Sequence, residues 1–164
     1  MNRTITLIRH AKSDWSHPEL SDFDRPLNGR GRHDAPRMGN VLKERGTTFD
    51  LVISSPACRA ITTAGKICGE IGYLPENIVQ IPDLYLASAS EMISIIQSTD
   101  DAIKHLALVA HNPGITTLAN RLGEMQITNI PTCGITIFET GIDSWSRLES
   151  GCCHTVDFLY PKLF

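Results

Sequence analysis

The chain has 164 residues, 41% hydrophobic and 20% charged, which is typical of a globular protein with one hydrophobic core. Its formal net charge is −3, so no overall positive field attracts nucleic acid or anionic membranes. No apolar run is long enough to span a membrane, and the N-terminus begins as a strand rather than as a signal peptide. We therefore expect a single domain over residues 1–164, located in the cytoplasm, without nucleic-acid or membrane partners.

Six β-prone runs alternate with four stretches of helical spacing. The predicted strands are Thr4–Ile8, Asp50–Ser54, Asn77–Ile81, Leu106–Ala110, Gly134–Phe138 and Thr155–Leu159. The predicted helices are Asn28–Arg45, Ser55–Ile71, Glu91–Gln97 and Asn112–Leu122. Several strands are almost continuously apolar, as is typical of strands covered on both faces. The pattern predicts an α/β three-layer sandwich, in which helices flank a mostly parallel central sheet.

Residues with strong backbone preferences mark the predicted helix ends. Gly46 and Gly72 are expected to end the first two helices in the left-handed conformation. Ser55 and Pro56 form a favourable N-cap and first-turn pair for the second helix. Pro36 lies inside the first helical stretch, so we expect it to kink that helix or to begin a second one.

Charged side chains follow three of the predicted strands. Arg9 and His10 come after the first strand, and His111 comes after the fourth. Arg59 lies in the first turn of the helix that follows the second strand. Ligands of open α/β sheets bind at the carboxyl ends of the strands, where helix N-termini also present N–H groups. The sequence therefore predicts a site for a compact, multiply charged anion such as phosphate.

A histidine among arginines suits phosphoryl transfer. Neighbouring positive charge keeps His10 neutral, so that one ring nitrogen can attack phosphorus while the other donates to a carbonyl. The two arginines can hold the phosphoryl oxygens, and we expect His111 to donate to these oxygens in its protonated form. The predicted mechanism forms a phosphohistidine intermediate that water then hydrolyses, without a metal ion or cofactor.

Three motifs occur in a characteristic order: RHAKS at 9–13, SSPACRAITTA at 54–64 and AHNPG at 110–114. Together they resemble the histidine phosphatase superfamily, over essentially the whole chain. That superfamily usually has glycine where this chain has Ala11. The alanine, the short chain and the segment DFDRPLNGRGR at 22–32 are similar to the SixA-like branch of phosphohistidine phosphatases.

The resemblance implies four residues that act on the phosphoryl group: the nucleophile His10, the phosphate-binding Arg9 and Arg59, and the second pocket histidine His111. It also implies that Asp22 and Arg25 lie near the pocket. We expect Lys12, Ser13 and Asn112, which adjoin the motif residues, to contribute to substrate binding. The expected substrate is a phosphorylated protein in signal transduction or a small phosphorylated molecule, and the expected product is inorganic phosphate.

Larger members of the superfamily carry an acid, after the third strand, that protonates the leaving oxygen. Asp83 and Glu91 bracket the corresponding segment here, but neither stands at the usual position. Ester hydrolysis gains about 10²–10⁴-fold from a positioned acid, whereas the nitrogen of a phosphoramidate is easily protonated and leaves readily. The sequence also lacks an insertion long enough to form a lid. Both features favour protein phosphohistidine over sugar phosphates.

Several other classes of protein compete with this prediction. The Cys-x5-Arg loop of cysteine phosphatases, the P-loop motif and a GxGxxG loop are all missing from the sequence. The five cysteines are expected to be reduced thiols. A small-molecule phosphomonoesterase, a mutase of the same superfamily and a catalytically weak phosphate- or phosphopeptide-binding module stay open.

Overall fold

A six-stranded sheet forms the centre of the structure, a computed structural model that describes residues 2–164. The strands are β1 (Arg3–Arg9), β2 (Leu51–Ser54), β3 (Val79–Gln80), β4 (His105–Ala110), β5 (Ile135–Thr140) and β6 (Cys153–Leu159). The helices are α1 (Gly29–Glu44), α2 (Cys58–Ile71), α3 (Ala89–Gln97) and α4 (Gly114–Leu122). Each predicted strand and helix is present, with boundaries that differ by a few residues.

The strand order is β3-β2-β4-β1-β5-β6. Strands β1 to β4 are parallel, whereas β5 is antiparallel to its neighbours β1 and β6. The prediction of a mostly parallel α/β sheet is therefore confirmed. Strand β3 is shorter than predicted because short 3₁₀ helices at Pro75–Asn77 and Pro82–Leu84 lie on both sides of it.

Helices cover both faces of the sheet. Helices α1 and α2 pack on one face, where Leu42 and Ile67 meet Val109 of β4. Helices α3 and α4 pack on the other face, where Met92 and Leu118 join a separate apolar cluster. Alternate residues of β4 belong to the two clusters, which explains why the strand is apolar throughout. Within residues 2–164, no helix combines the length and apolar character needed to cross a membrane.

The helix boundaries confirm some of the sequence signals and correct others. Gly46 and Gly72 adopt the left-handed conformation, with φ of 74° and 83°. Helix α1 continues through Pro36, so the expectation that a second helix begins there is wrong. Ser55 is not the N-cap of α2, which begins at Cys58. The Ser55 hydroxyl instead contacts His111, and the Cys58 N–H donates to the carbonyl oxygen of Phe23, in the loop between β1 and α1, at 2.9 Å.

Gly31 allows α1 to approach the loop that follows β1. A Cβ atom at this position would overlap the carbonyl oxygen of Lys12, which already accepts a hydrogen bond from the Asn28 N–H at 3.0 Å. We expect Gly31→Ala to lower the free energy of unfolding by about 1–3 kcal/mol in urea denaturation. Gly69→Ala, exposed in α2 with no atom within 4 Å, should not lower it. Equal losses in the two variants would contradict this packing argument.

Candidate active site

The carboxyl end of β1 brings the two predicted pocket histidines together. β1 lies beside β4, and the His10 N–H donates to the carbonyl oxygen of Ala110 at 3.2 Å. His111 follows Ala110 directly, so the two imidazole rings have centroids 5.3 Å apart. Parallel pairing of two strands thus joins residues that are far apart in the sequence.

A cavity of about 200 Å³ opens at this edge of the sheet. Its lining includes every predicted site residue except Asp22. Three further residues, Trp15, Leu86 and Thr132, complete the lining and were not predicted. Trp15 and Leu86 lie in loops without periodic patterning, and position relative to the motifs was the only signal that could have identified them.

His10 is buried and neutral, with one ring nitrogen left free. The residue is 7% exposed, and Nδ1 of its ring lies 2.7 Å from the carbonyl oxygen of Ala11, to which it donates. Nε2 therefore carries the free lone pair. Burial lowers the pKa of His10 to about 3, and the charges of Arg59 and Arg9 act in the same direction. Burial, and not the charge of the arginines expected from the sequence, is therefore the larger cause of this neutrality.

His111 is also neutral near pH 7, which differs from the protonated form expected from the sequence. Burial and the charge of Arg59 lower its pKa to about 4. Nε2 lies 2.8 Å from the Ser55 hydroxyl, which accepts a hydrogen bond from the Ala57 N–H at 3.2 Å. Nδ1 is buried without a partner. When Ser55 donates to Nε2, the proton resides on Nδ1, which is then a neutral donor.

Three arginines of the pocket have more donors than the protein satisfies. Arg9 donates from Nη1 to the carbonyl oxygen of Ile130 at 2.8 Å. Arg59 donates to the carbonyl oxygen of Asp22 at 2.6 Å and to its carboxylate at 3.0 Å. Arg25 donates to the same carboxylate at 2.8 Å and to the Ser13 hydroxyl.

The Nε atom of each of these three arginines is buried without a partner. Buried donors without acceptors are unfavourable, and a ligand with several acceptor oxygens would complement the guanidinium groups. Arg9, Arg25, Arg59 and the exposed Lys12 face only one carboxylate in this network, that of Asp22. With both histidines neutral, the site carries a net charge of +3.

Asp22 supports the arginines rather than lining the cavity. Partial burial raises the pKa of its carboxyl, but hydrogen bonds from Tyr85, Arg25 and Arg59 outweigh burial and hold the pKa well below its usual range. The group is therefore ionised and is a poor proton donor. Tyr85, which the sequence did not single out, also packs edge-on against His111 at 5.6 Å between ring centroids.

Neither candidate for a leaving-group acid lies in the cavity. Asp83 is exposed in the 3₁₀ helix Pro82–Leu84. Glu91 caps α3, where its carboxylate accepts a hydrogen bond from the Ser88 N–H at 3.0 Å. Among residues 2–164, none that lines the cavity carries a carboxylate. The same part of the chain contains no cluster of three or more His, Cys, Asp or Glu side chains arranged to hold a metal ion.

Comparison with known proteins gives the family. A profile of the histidine phosphatase superfamily (branch 1) matches residues 5–85. An uncharacterized chloroplast protein of Arabidopsis thaliana is 30% identical over 156 residues, which cover 90% of this chain and 71% of the relative. The structure of a candidate phosphohistidine phosphatase, SixA of Agrobacterium tumefaciens, is 26% identical with a TM-score of 0.80, covering 97% of this chain and 98% of that one.

A third relative matches only in part. The 2,3-bisphosphoglycerate-dependent phosphoglycerate mutase of Bartonella henselae is 35% identical over 86 residues, or 51% of this chain and 42% of the mutase. The family profile and the whole-length matches show that the chain belongs to the histidine phosphatase superfamily. Within that family it is a phosphatase-type hydrolase.

The low pKa values of His10 and His111 make stability depend on pH. Both rings stay neutral in the folded protein, whereas an unfolded histidine takes up a proton near pH 6.5. Their contribution is therefore complete above about pH 6.5 and is lost as pH falls, toward about 4 for His111 and toward about 3 for His10. We expect the free energy of unfolding in urea to drop between pH 7 and pH 5 by about 1–2 kcal/mol for each histidine. The drop should be smaller in His10→Gln; an identical drop would show that His10 titrates normally.

Proposed function

We propose that this enzyme removes the phosphoryl group from phosphohistidine on a protein, through a covalent intermediate on His10, and releases inorganic phosphate. The observation that carries the proposal is the lining of the cavity. It contains a buried neutral histidine and guanidinium groups with unpaired Nε atoms, and within residues 2–164 it contains no carboxylate. This combination supplies a nucleophile and charge stabilisation, but no general acid for a poor leaving group.

The first step transfers the phosphoryl group to the enzyme. Arg9 and Arg59 bind the phosphoryl oxygens, and the Nδ1–H of His111 donates to one of them. Nε2 of His10 attacks phosphorus as the bond to the substrate nitrogen breaks, and that nitrogen keeps the electron pair and takes a proton from water. The carbonyl of Ala11 holds the Nδ1 proton of His10 throughout, so Nε2 remains the reactive atom.

The second step returns the site to its starting state. A water molecule attacks the phosphorus of phospho-His10, the phosphorus–nitrogen bond breaks, and inorganic phosphate leaves. The imidazole is again the leaving group, so this step also proceeds without a carboxylic acid. The same arginines stabilise charge in both steps because the three non-bridging oxygens occupy similar positions.

The absence of a carboxylate from the lining favours a phosphorus–nitrogen substrate. An alkoxide leaving group of a sugar phosphate needs a proton at the moment of cleavage, whereas an imidazole nitrogen has a pKa close to neutral pH. The whole-length similarity to a candidate phosphohistidine phosphatase supports the same substrate class. The match to a mutase covers less than half of that enzyme and lends weaker support to a mutase reaction.

Replacement of the nucleophile tests the covalent mechanism. We expect His10→Ala to release phosphate from a phosphohistidine protein at least about 10³-fold more slowly than the parent, since no other lining group can take its role. Brief exposure to ³²P-labelled substrate should leave an acid-labile label on the parent and none on the variant. The matched control is His33→Ala, on an exposed position of α1. Parent-like release by His10→Ala would overturn the mechanism.

A substrate panel under one assay tests the leaving-group argument. We expect kcat/KM for phosphohistidine protein and for free phosphohistidine to exceed that for phosphoserine and sugar phosphates by at least about 10²-fold. Addition of EDTA should leave the rates unchanged. Equal rates on sugar phosphates would indicate a phosphomonoesterase, and phosphate binding without turnover of any substrate would indicate a binding module.

A further inference from the structure

Three large apolar side chains lie exposed around the mouth of the cavity. Trp15 is 72% exposed, Leu86 57% and Phe23 38%. Trp15 and Leu86 line the cavity itself, and Phe23 contacts Tyr85, the residue next to Leu86. Single exposed apolar residues are ordinary, but three from two separate loops beside one site form a patch. We call Trp15, Phe23 and Leu86 the apolar rim.

Two members of the apolar rim are fixed to the phosphate-binding residues. The guanidinium of Arg25 lies 3.6 Å from the centroid of the Trp15 ring, in a cation–π contact. Phe23 packs edge-on against Tyr85 at 5.1 Å between centroids, and the Tyr85 hydroxyl donates to Asp22. The rim is therefore positioned by the same network that orients the arginines.

Leu86 keeps an exposed apolar side chain on an unfavourable backbone. Its φ is 53°, in the left-handed region that glycine adopts without strain and that other residues occupy at a cost. A side chain that is more than half exposed gains little from packing to offset that cost. Strained residues of this kind are concentrated at functional sites. The position of Leu86 at the mouth of the cavity therefore points to a role in binding.

We propose that the apolar rim binds the surface of the phosphorylated protein around its phosphohistidine. This inference rests on the proposed function and specifies its partner: a folded protein whose phosphohistidine is flanked by apolar side chains. The charge distribution supports that partner, because the site, with Asp22 included, carries a net charge of +3 while the rim residues are uncharged. A dianionic phosphoryl group at the centre of an apolar surface complements both parts.

The size of the rim favours a protein over a free metabolite. Trp15 and Phe23 lie in the loop after β1, and Leu86 lies in the loop before α3. The two loops are linked by the contacts of Tyr85 with Phe23 and Asp22. Free phosphohistidine carries only an amino-acid backbone beyond its imidazole and leaves most of these side chains in water. A protein surface would remove them from water, which is favourable in proportion to the apolar area covered.

The test compares a phosphorylated histidine-phosphotransfer domain with free phosphohistidine. We expect Leu86→Gly to lower the ratio of the two kcat/KM values by about tenfold, through KM for the protein substrate. Because glycine relieves the left-handed strain, the urea midpoint of Leu86→Gly should equal or exceed that of the parent.

A second variant, Phe23→Ser, changes a residue that does not line the cavity. It should also lower the ratio of kcat/KM for the phosphorylated domain to kcat/KM for free phosphohistidine. The matched control is Val156→Ser, a 45% exposed apolar position on β6.

The outcomes separate this inference from the proposed function. An unchanged ratio in both rim variants, or an equal fall in Val156→Ser, would overturn the apolar rim as a binding surface while protein phosphohistidine remained a substrate. If the parent does not hydrolyse the phosphorylated domain but does hydrolyse esters, the proposed function fails. If a second copy of this chain covers the apolar rim instead, the protein should dimerise and Leu86→Gly should abolish the dimer. That result would also overturn the inference.

Discussion

The crowding of positive charge around a buried imidazole governs the rest of this active site. The guanidinium groups of Arg9, Arg25 and Arg59 line the same cavity as His10, and one carboxylate, that of Asp22, compensates two of them directly. Burial of unpaired charge is costly, so this arrangement is less stable than a neutral one would be. A phosphoryl group supplies the missing negative charge and the missing acceptors together. The fold thus positions the three guanidinium groups before substrate binds, and a bound phosphoryl group would complete their hydrogen bonds.

The same crowding determines how the two histidines differ. Burial and positive charge keep both rings neutral. Their roles therefore differ by which ring nitrogen the protein leaves without a partner, and not by charge. The carbonyl of Ala11 leaves Nε2 of His10 as a nucleophile, and the hydroxyl of Ser55 can leave Nδ1 of His111 as a donor. A protonated His10 could not attack phosphorus, so the low pKa is a requirement of the mechanism and a cost to stability at acid pH.

The rim of the cavity is a second place where the structure has features that lower stability. The left-handed backbone at Leu86 and the exposed ring of Trp15 are both unfavourable for an isolated chain. Under the proposed function, a protein partner would cover these two side chains, and a bound phosphoryl group would compensate the arginines. Among residues 2–164, the absence of a carboxylate from the lining is consistent with the proposed phosphohistidine substrate, whose leaving nitrogen is easily protonated.

The sequence by itself determined the α/β sandwich and the meeting of Arg9, His10, Arg59 and His111, because apolar periodicity and strand-end position are local signals. The sequence did not determine which residues contact these four side chains and their supporting groups. Ser55 was predicted to cap a helix, yet its hydroxyl contacts a histidine 56 residues away, and Tyr85 reaches Asp22 across 63 residues. Such contacts depend on how loops pack, which has no period in the sequence. Only the tertiary structure therefore decided the hydrogen-bond partners of the two histidines, the support of the arginines and the apolar rim.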